Sequence, residues 1–146
     1  MRDPNPKDRI GRDKAPMSTV PANVLIEVGT AMMEGALKYG RHNFRAADVR
    51  ASVYYDAGLR HLMAWWEGEN NDPDSGVSHL TKAIAGLVVL RDAMMNDRLN
   101  DDRPPKLRPL LDWMGDNNAR ARRLVRLHPE PKPPYTEECN GYQEED

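Results

Sequence analysis

Acidic residues crowd one short stretch of the sequence, and their number points to cation chemistry. Four carboxylates fall within eight residues, at Glu67, Glu69, Asp72 and Asp74, and His79 follows five residues later. Carboxylates this close repel one another, which raises some of their pKa values unless a cation or a guanidinium lies among them. Oxygen ligands suit Mg²⁺ or Mn²⁺, and a histidine is more acceptable to Mn²⁺. The stretch therefore predicts a divalent-cation site.

A second polar feature lies on the first strongly helical stretch. Glu34 and Lys38 are four residues apart, on the face opposite Leu25 and Met32. An exposed ion pair worth a few tenths of a kcal/mol explains this spacing. The same stripe would also fit a polar cleft or a contact with another subunit, and both interpretations stay open.

The next helical stretch carries two polar lines. Asp56 and Arg60 are four residues apart, and so are His61 and Trp65. Taken singly, a histidine is more often structural than functional, and the Trp65–Trp66 pair is more often core than a platform for a base. Their position next to the carboxylate cluster favours a functional interpretation.

Other catalytic patterns are missing from the sequence. It has no phosphate-binding glycine loop, no dinucleotide-binding fingerprint, no nucleophile elbow and no zinc-protease motif. Its single cysteine, Cys139, lies in a polar segment. The remaining chemistry is metal-assisted, on helical walls where basic side chains neutralise phosphate oxygens.

Apolar periodicity predicts the elements that position these residues. Helical spacing runs over 21–39, about 50–67 and about 76–95, and one or two shorter helices follow between 110 and 127. The third helix has Asp74 or Ser75 as its expected N-cap and the broadest apolar surface, which makes it the expected central helix. No strand pattern of useful length occurs, so the fold class is all-α, with about four to five helices. The expected divisions are an irregular N-terminal arm (1–20), one domain (21–127) and a proline-rich acidic tail (128–146).

Charge and hydropathy narrow the class of protein. The chain has 21 basic and 23 acidic residues and a net charge of -2, which argues against a basic surface for nucleic acid. No apolar run approaches the roughly 20 residues of a membrane span, and the first residues form no apolar signal region. We expect a cytoplasmic protein, in the host cytoplasm if a phage encodes it.

Several segments resemble the phage dATP/dGTP diphosphohydrolase family, a MazG-like group. The resemblance covers roughly residues 8 to 105 and is carried by KYGRHNFR, YYDAGLRHL, AWWEGE and DPDSGVSHL. It implies a helical, homo-oligomeric (dimeric or tetrameric) nucleoside triphosphate pyrophosphohydrolase that uses Mg²⁺ or Mn²⁺. The substrate would be dGTP, or GTP or dATP, and the products the monophosphate and pyrophosphate. A MazZ-type member would supply dGMP for 2-aminoadenine nucleotide synthesis in a phage.

With that resemblance, the candidate residues receive roles. Lys38 and Arg60 are expected to contact phosphate, and Asn43, His61 and Trp65 to hold the sugar or base. Asp56 and Asp74 are expected to orient the attacking water. The expected metal ligands are Glu34, Glu69, Asp72 and His79.

Two other functions remain open at this point. One is a non-catalytic helical dimerisation or regulatory module, which needs no metal. The other is binding of single-stranded DNA through Arg60 and the tryptophans, which the balanced charge makes the weakest of the three.

Overall fold

A computed structural model describes residues 5–136 of the chain and is helical over most of them. Two-residue strands lie at Val49–Arg50 (β1) and Leu99–Asn100 (β2). A 3₁₀ turn covers Met17–Thr19. The helices are α1 (Pro6–Gly11), α2 (Ala22–Tyr39), α3 (Asn43–Ala46), α4 (Ala51–Trp66), α5 (His79–Met95) and α6 (Leu110–Leu127).

The predicted helices are confirmed, with small shifts at their ends. Helix α2 matches the prediction for 21–39, and α4 matches the prediction for about 50–67. Helix α5 begins three residues later than predicted, and a single 18-residue α6 replaces the one or two shorter helices. The all-α class is confirmed.

The predicted arm and tail are described only in part. The arm expected to be irregular contains α1 and the 3₁₀ turn, and neither buries a residue. Its first four residues lie outside the described part of the chain, and so do residues 137–146 of the predicted tail, with Cys139. The tail therefore stays a prediction beyond residue 136.

Helix α5 is central, as its broad apolar surface predicted. It packs against α4 over the largest interface and against α2 over a smaller one. Its buried face consists mainly of small residues. Ala85 packs against Val28 and Ala31 of α2. Val89 and Ala93 pack against Val49. Small side chains let the helix backbones approach closely, so α5 can hold polar groups from both neighbours within bonding distance of its own.

A short parallel sheet ties the start of α4 to the end of α5. Val49 pairs with Leu99, and the Val49 N–H donates to the Arg98 carbonyl oxygen over 2.8 Å. Next to it, the Asp102 carboxylate accepts a 2.8 Å hydrogen bond from the Ser52 N–H in the first turn of α4. These contacts fix the axial position of α4 relative to α5.

The connection between α4 and α5 is a tight hairpin-like loop. The Asp72 N–H donates to the Val77 carbonyl oxygen, and the His79 N–H donates to that of Asn70. Gly76 occupies the left-handed region at φ +71°, which glycine adopts without strain. Because this loop extends to Ser78, Ser78 is the N-cap of α5, and the predicted capping by Asp74 or Ser75 is wrong.

The chain divides into two compact units, and the boundary in the sequence falls between Arg103 and Pro104. The first contains α1 to α5, and the second contains α6, a helix that buries none of its residues. In this second unit the indole ring of Trp113 lies 5.0 Å from the Arg108 guanidinium. No helix in the described part of the chain is long and apolar enough to span a membrane.

Few large side chains are buried in the part of the chain that the structure describes. The buried apolar residues are alanines and valines, and no large side chain in residues 5–136 is fully buried. Large apolar side chains lie on exposed helix faces instead, among them Ile26 (74% exposed), Leu37 (80%) and Trp66 (77%). An isolated chain therefore presents much apolar surface to water.

Enlarging Ala93, the side chain with 0% exposure, tests the close packing of α5. We expect Ala93→Leu to lower the free energy of unfolding by about 1–3 kcal/mol, because added methylenes force the surrounding side chains from their rotamers. Urea unfolding followed by circular dichroism measures the change. The matched control is Ala121→Leu at an exposed position of α6. Equal stability of both variants and the wild type would contradict the packing described.

Candidate functional site

A cavity of about 520 Å³ opens beside α5 in the first unit. Helices α2, α3, α4 and α5 contribute to its walls. Small residues leave the space, including Gly35 of α2, Gly58 of α4 and Gly86 of α5. The polar groups at its wall include Glu34, Lys38, Asn43, His61 and Lys82. A volume of this size is in the range of small-molecule sites.

Lys82 joins carboxylates from two separate elements at one edge of this cavity. Its Nζ lies 2.5 Å from Asp72 Oδ2 and 3.2 Å from Glu34 Oε2. Its side chain is only 15% exposed, and that of Asp72 14%. Lys38, one turn along α2, forms a second ion pair with Glu34. The ammonium of Lys82 is thus the cation between the two carboxylates.

The loop before α5 orients the Asp72 carboxylate. Its Oδ1 accepts a hydrogen bond from the Asp74 N–H over 2.8 Å and another from the Ser75 N–H over 3.3 Å. Oδ2 is left to face Lys82, whose ammonium also lies 3.4 Å from Ser75 Oγ. An aspartate two residues before a turn N–H commonly bonds in this way, so the DPDSG stretch itself positions the carboxylate.

The pKa values in this cluster reflect the ion pairs. The hydrogen bond from Lys82, with those from two backbone N–H groups, lowers the pKa of Asp72 from 3.8 to about 2 against the opposing effect of burial. The hydrogen bond from Lys38 is the main cause that lowers the pKa of Glu34. Burial disfavours the charged form of Lys82, but its bonds to Asp72 and Glu34 outweigh burial and raise its pKa. All three groups are therefore charged at neutral pH.

Two histidines meet next to this cluster. His61 Nδ1 lies 2.9 Å from His79 Nδ1, and the ring centroids are 5.1 Å apart. Burial is the main cause that lowers the pKa of His61, and the nearby positive charge of Lys82 adds to it. A neutral imidazole has one nitrogen free to accept a hydrogen bond or bind a metal. The environment of His61 thus favours the form that can act as a ligand.

His79 is the more deeply placed of the two, at 6% exposure in the first turn of α5. Its Nε2 lies 3.3 Å from Glu69 Oε1, but the direction is unsuitable for a hydrogen bond, and this nitrogen has no hydrogen-bond partner within residues 5–136. Elsewhere on α5, the buried Thr81 hydroxyl donates to Glu27 over 2.8 Å. His79 is therefore the buried polar group whose bonding remains incomplete.

Three side chains are close enough to hold one metal ion. Ligand atoms of His61, Asp72 and His79 all lie within 4.8 Å of one another. Two imidazole nitrogens and one carboxylate oxygen form a donor set found at divalent transition-metal centres. Of the four predicted metal ligands, Asp72 and His79 belong to this group, whereas Glu34 and Glu69 lie outside it.

Most of the predicted substrate-binding and metal-binding residues share one region. Lys38, Asn43 and His61 line the cavity with Glu34. Glu69 faces His79. For Glu34 and Lys38 the ion-pair and cleft interpretations both hold, because the predicted ion pair forms and also faces the cavity.

Four predicted site residues are exposed and lie off the cavity wall. The side chains of Asp56 and Arg60 lie on α4 and form no hydrogen bond or ion pair within the described part of the chain. Trp65 packs at a tilt on Trp66, with 6.2 Å between ring centroids, and does not line the cavity. Asp74 contributes its N–H to Asp72 rather than its carboxylate to the cluster. Their predicted roles stay predictions without support from this geometry.

The cavity-lining residues that the sequence analysis did not name include Lys82, Tyr54 and Phe44. Lys82 is the most important, because the sequence analysis expected a divalent metal ion, and no lysine, between the carboxylates. The available signal was its place on α5, three residues after His79, as a lone lysine within an apolar helix. The ammonium of Lys82 therefore supplies a cation between Glu34 and Asp72 that the sequence analysis did not place there.

Comparisons with known proteins agree with the resemblance. The chain belongs to the family described as "dATP/dGTP diphosphohydrolase, N-terminal", whose sequence model matches residues 4–103. This range ends where the first compact unit ends. A similar protein is the dATP/dGTP diphosphohydrolase of Salmonella phage PMBT28, 27% identical over 95 residues. The match covers 65% of this chain and 32% of the phage protein, so the chain spans about a third of that relative. No solved structure matches the chain.

The lowered pKa of Asp72 predicts a specific acid sensitivity. A carboxyl whose pKa falls from 3.8 to about 2 on folding adds stability above pH 4, and this contribution disappears as the pH falls through 2. We expect the free energy of unfolding to drop by on the order of 2 kcal/mol over this window because of Asp72. Urea unfolding from pH 5 to pH 2, with chelator present, measures it.

Asp72→Asn should flatten this dependence, since an amide does not titrate. Asp56→Asn is the matched control, because the Asp56 carboxylate is exposed and pairs with no cation in residues 5–136. If Asp72→Asn keeps the steep wild-type loss between pH 4 and 2, Asp72 is not the group responsible.

Proposed function

We propose that this protein is a nucleoside triphosphate pyrophosphohydrolase. The observation that carries the proposal is a cavity of about 520 Å³ with Lys38, Lys82 and Glu34 at its wall, in a chain of the dATP/dGTP diphosphohydrolase family. In the proposed reaction, water attacks the α-phosphorus and the bond to the bridging oxygen of the β-phosphate breaks. The products are the nucleoside monophosphate and pyrophosphate.

The two lysines supply positive charge for the triphosphate. Lys38 is 53% exposed, so its ammonium can turn from Glu34 to a phosphate oxygen at small cost. Lys82 is nearly buried and held by Asp72 and Glu34, which fixes its ammonium at the cavity edge. A fixed cation beside a mobile one would bind the polyphosphate and stabilise charge on the leaving pyrophosphate.

The carboxylates are suited to Mg²⁺ or Mn²⁺ that accompany the triphosphate. Glu34 and Asp72 already direct oxygens toward one cation, the ammonium of Lys82, so the donor set fits a hard divalent ion. When bound, such an ion neutralises phosphate charge and lowers the pKa of a water ligand. Glu69, which lies 3.3 Å from His79, would orient that imidazole or complete the ligand set.

The base and sugar would occupy the wider part of the cavity. Asn43 offers an amide edge that can pair with a purine, and Phe44 and Tyr54 provide aromatic surface. Burial raises the pKa of Tyr54, so its hydroxyl stays protonated and can donate. The proposed substrate is dGTP, with GTP and dATP as competitors. Its dGMP would supply 2-aminoadenine nucleotide synthesis in a phage, as in MazZ-type members.

We further propose that the active form is a homo-oligomer. Exposed Ile26, Met33 and Leu37 lie at spacings of seven and four along α2, and therefore form one stripe. Exposed Leu62 and Trp66 form a similar stripe on α4. A second copy of the chain covering these stripes would remove the apolar surface from water.

Product analysis tests the function. We expect the purified protein, with Mg²⁺ or Mn²⁺ and each of dGTP, GTP, dATP, dCTP and dTTP, to release pyrophosphate and a monophosphate from the purines. Chelator should abolish release. Orthophosphate or triphosphate as the product would show that a different bond is hydrolysed. Absence of turnover with every nucleotide and both metals would contradict the proposal.

Removing a lysine tests the phosphate contacts. Lys38→Met should lower kcat/KM for dGTP by about 10- to 100-fold, the effect of one lost charge-assisted hydrogen bond. Lys14→Met is the control, because Lys14 is exposed in the N-terminal arm and its ammonium pairs with no carboxylate in the described residues. An unchanged kcat/KM in Lys38→Met would remove this lysine from the binding site.

Light scattering coupled to size-exclusion chromatography tests the oligomer. We expect twice or four times the 16.6 kDa chain mass. Leu37→Glu should shift the mass toward one chain, because it buries a charge in the proposed interface. The control is Ile10→Glu on α1, a second exposed aliphatic position at 62% exposure. A wild-type monomer at micromolar concentration would contradict the proposal.

A non-catalytic module is the second candidate, favoured by one observation. Lys82 already balances Glu34 and Asp72, so this part of the fold needs no metal ion for its stability. The nucleotide panel distinguishes the two candidates, because a module gives no turnover with or without metal.

A further inference from the structure

The contact between His61 and His79 calls for a chemical explanation beyond the proposed hydrolysis. The two Nδ1 atoms are 2.9 Å apart, His79 is only 6% exposed, and His61 is partly buried. A hydrogen bond between them satisfies one Nδ1 pair, yet His79 Nε2 remains without a hydrogen-bond partner in residues 5–136. A buried ring nitrogen without a partner costs free energy, and the hydrogen bond between the two rings does not remove that cost.

We propose that His61, His79 and Asp72 form a binding site for a divalent transition-metal ion of the Zn²⁺ class, which binds without nucleotide. The site is separate from the Mg²⁺ or Mn²⁺ that accompanies the triphosphate, although Asp72 borders both. Imidazole nitrogen favours Zn²⁺ and similar ions, whereas Mg²⁺ prefers oxygen ligands and retains its waters. The proposal does not depend on pyrophosphohydrolase activity.

The geometry needs little adjustment to accept the ion. Metal–nitrogen bonds of about 2.1 Å separate adjacent ligands by roughly 3.0–3.4 Å. The observed separation of 2.9 Å between the Nδ1 atoms is close to this range, and the ligand atoms of all three residues lie within 4.8 Å of one another. The packing of α4 against α5 holds His61 and His79 in these positions.

Metal binding through both Nδ1 atoms also explains why the Glu69 carboxylate lies near His79 Nε2. Without metal, one ring donates its Nδ1 proton to the Nδ1 atom of the other ring. When both Nδ1 atoms bind the metal, that proton moves through solvent to Nε2 of the same ring. Each neutral imidazole then carries its proton on Nε2. No net proton is released. Glu69 Oε1 lies 3.3 Å from His79 Nε2 at an unsuitable angle, and a small rotation of the Glu69 side chain, which is 52% exposed, would let it accept from Nε2–H. A carboxylate that accepts from a metal-bound histidine is a common way of fixing the ring.

Lys82 is the competitor for this site. Its ammonium lies 2.5 Å from Asp72 Oδ2 and repels a second cation. Removal of the ammonium should therefore strengthen metal binding, whereas removal of a ligand should weaken it. If the cluster had a purely structural role, these two kinds of variant would not change the metal affinity in opposite directions.

Nitrogen-detected NMR of the imidazole rings tests the proposal with Zn²⁺ as the probe. The full chain has four histidines, so His42 and His128 serve as internal references. A Cys139→Ser background removes the single thiol. One equivalent of Zn²⁺ should shift Nδ1 of His61 and His79 to metal-bound values and leave His42 and His128 unchanged, and Mg²⁺ should shift none of them. Absence of a Zn²⁺ shift at His61 and His79, or equal shifts of all four, overturns the proposal.

Calorimetric titration with Zn²⁺ then tests the ligand set. Asp72→Asn and His61→Gln should each lower the affinity by at least about 10-fold, and Lys82→Met should raise it several-fold. His42→Asn is the matched control, because His42 lines the same cavity outside the group of three and asparagine tolerates its φ of +63°. Thermal melting of each metal-free variant verifies folding. Weaker binding in Lys82→Met, or wild-type affinity in both ligand variants, contradicts the assignment.

These outcomes are independent of the proposed hydrolysis. Zn²⁺ binding without turnover of any nucleotide of the panel in Mg²⁺ or Mn²⁺ supports the metal site and contradicts the pyrophosphohydrolase. Turnover in Mg²⁺ with no Zn²⁺-dependent NMR shift supports the pyrophosphohydrolase and overturns the metal site.

Discussion

The ammonium of Lys82 lies between the carboxylates of Glu34 and Asp72, and the arrangement of the site depends on it. These three groups come from α5, α2 and the loop before α5, so the ion pairs connect α2 and that loop to α5. Few water molecules can screen the charges of Lys82 and Asp72, which are about one-seventh exposed, so removing either partner is costly. Backbone N–H groups of Asp74 and Ser75 occupy the other oxygen of Asp72, and thereby direct its free oxygen to the lysine.

Small residues at the helix contacts have two consequences. Alanines and valines let α2 and α4 approach α5 closely, and glycines at the cavity wall leave about 520 Å³ open beside the charged cluster. The large apolar side chains consequently lie on the outer helix faces, as Leu37 and Trp66 show. The same choice of residues therefore creates both the cavity and the surface that a second copy is proposed to cover.

The fold was largely accessible from the sequence because apolar residues recur at helical spacing in α2, α4 and α5. Pro73 and Gly76 lie in the break between α4 and α5, where neither residue favours a continuing helix. The exact start of α5 could not be predicted from the sequence, because it depends on backbone pairing between residues 70 and 79 rather than on a capping side chain. The candidate site was only partly accessible. The spacing of Glu34 and Lys38 gave their ion pair, but the contact of His61 with His79 depends on the rotation and axial position of two helices, which spacing within one helix does not specify. Lys82 was missed for the same reason.

A double-mutant cycle between Lys82→Met and Asp72→Asn tests the central claim most directly. The free energy of unfolding of the wild type, both single variants and the double variant is measured at pH 7 with chelator. We expect the double variant to lose less unfolding free energy than the two single variants lose together, by at least about 1 kcal/mol. The reason is that either single change leaves a buried charge without its partner. Effects that add within about 0.3–0.5 kcal/mol would show that the two groups do not interact, and would contradict the account.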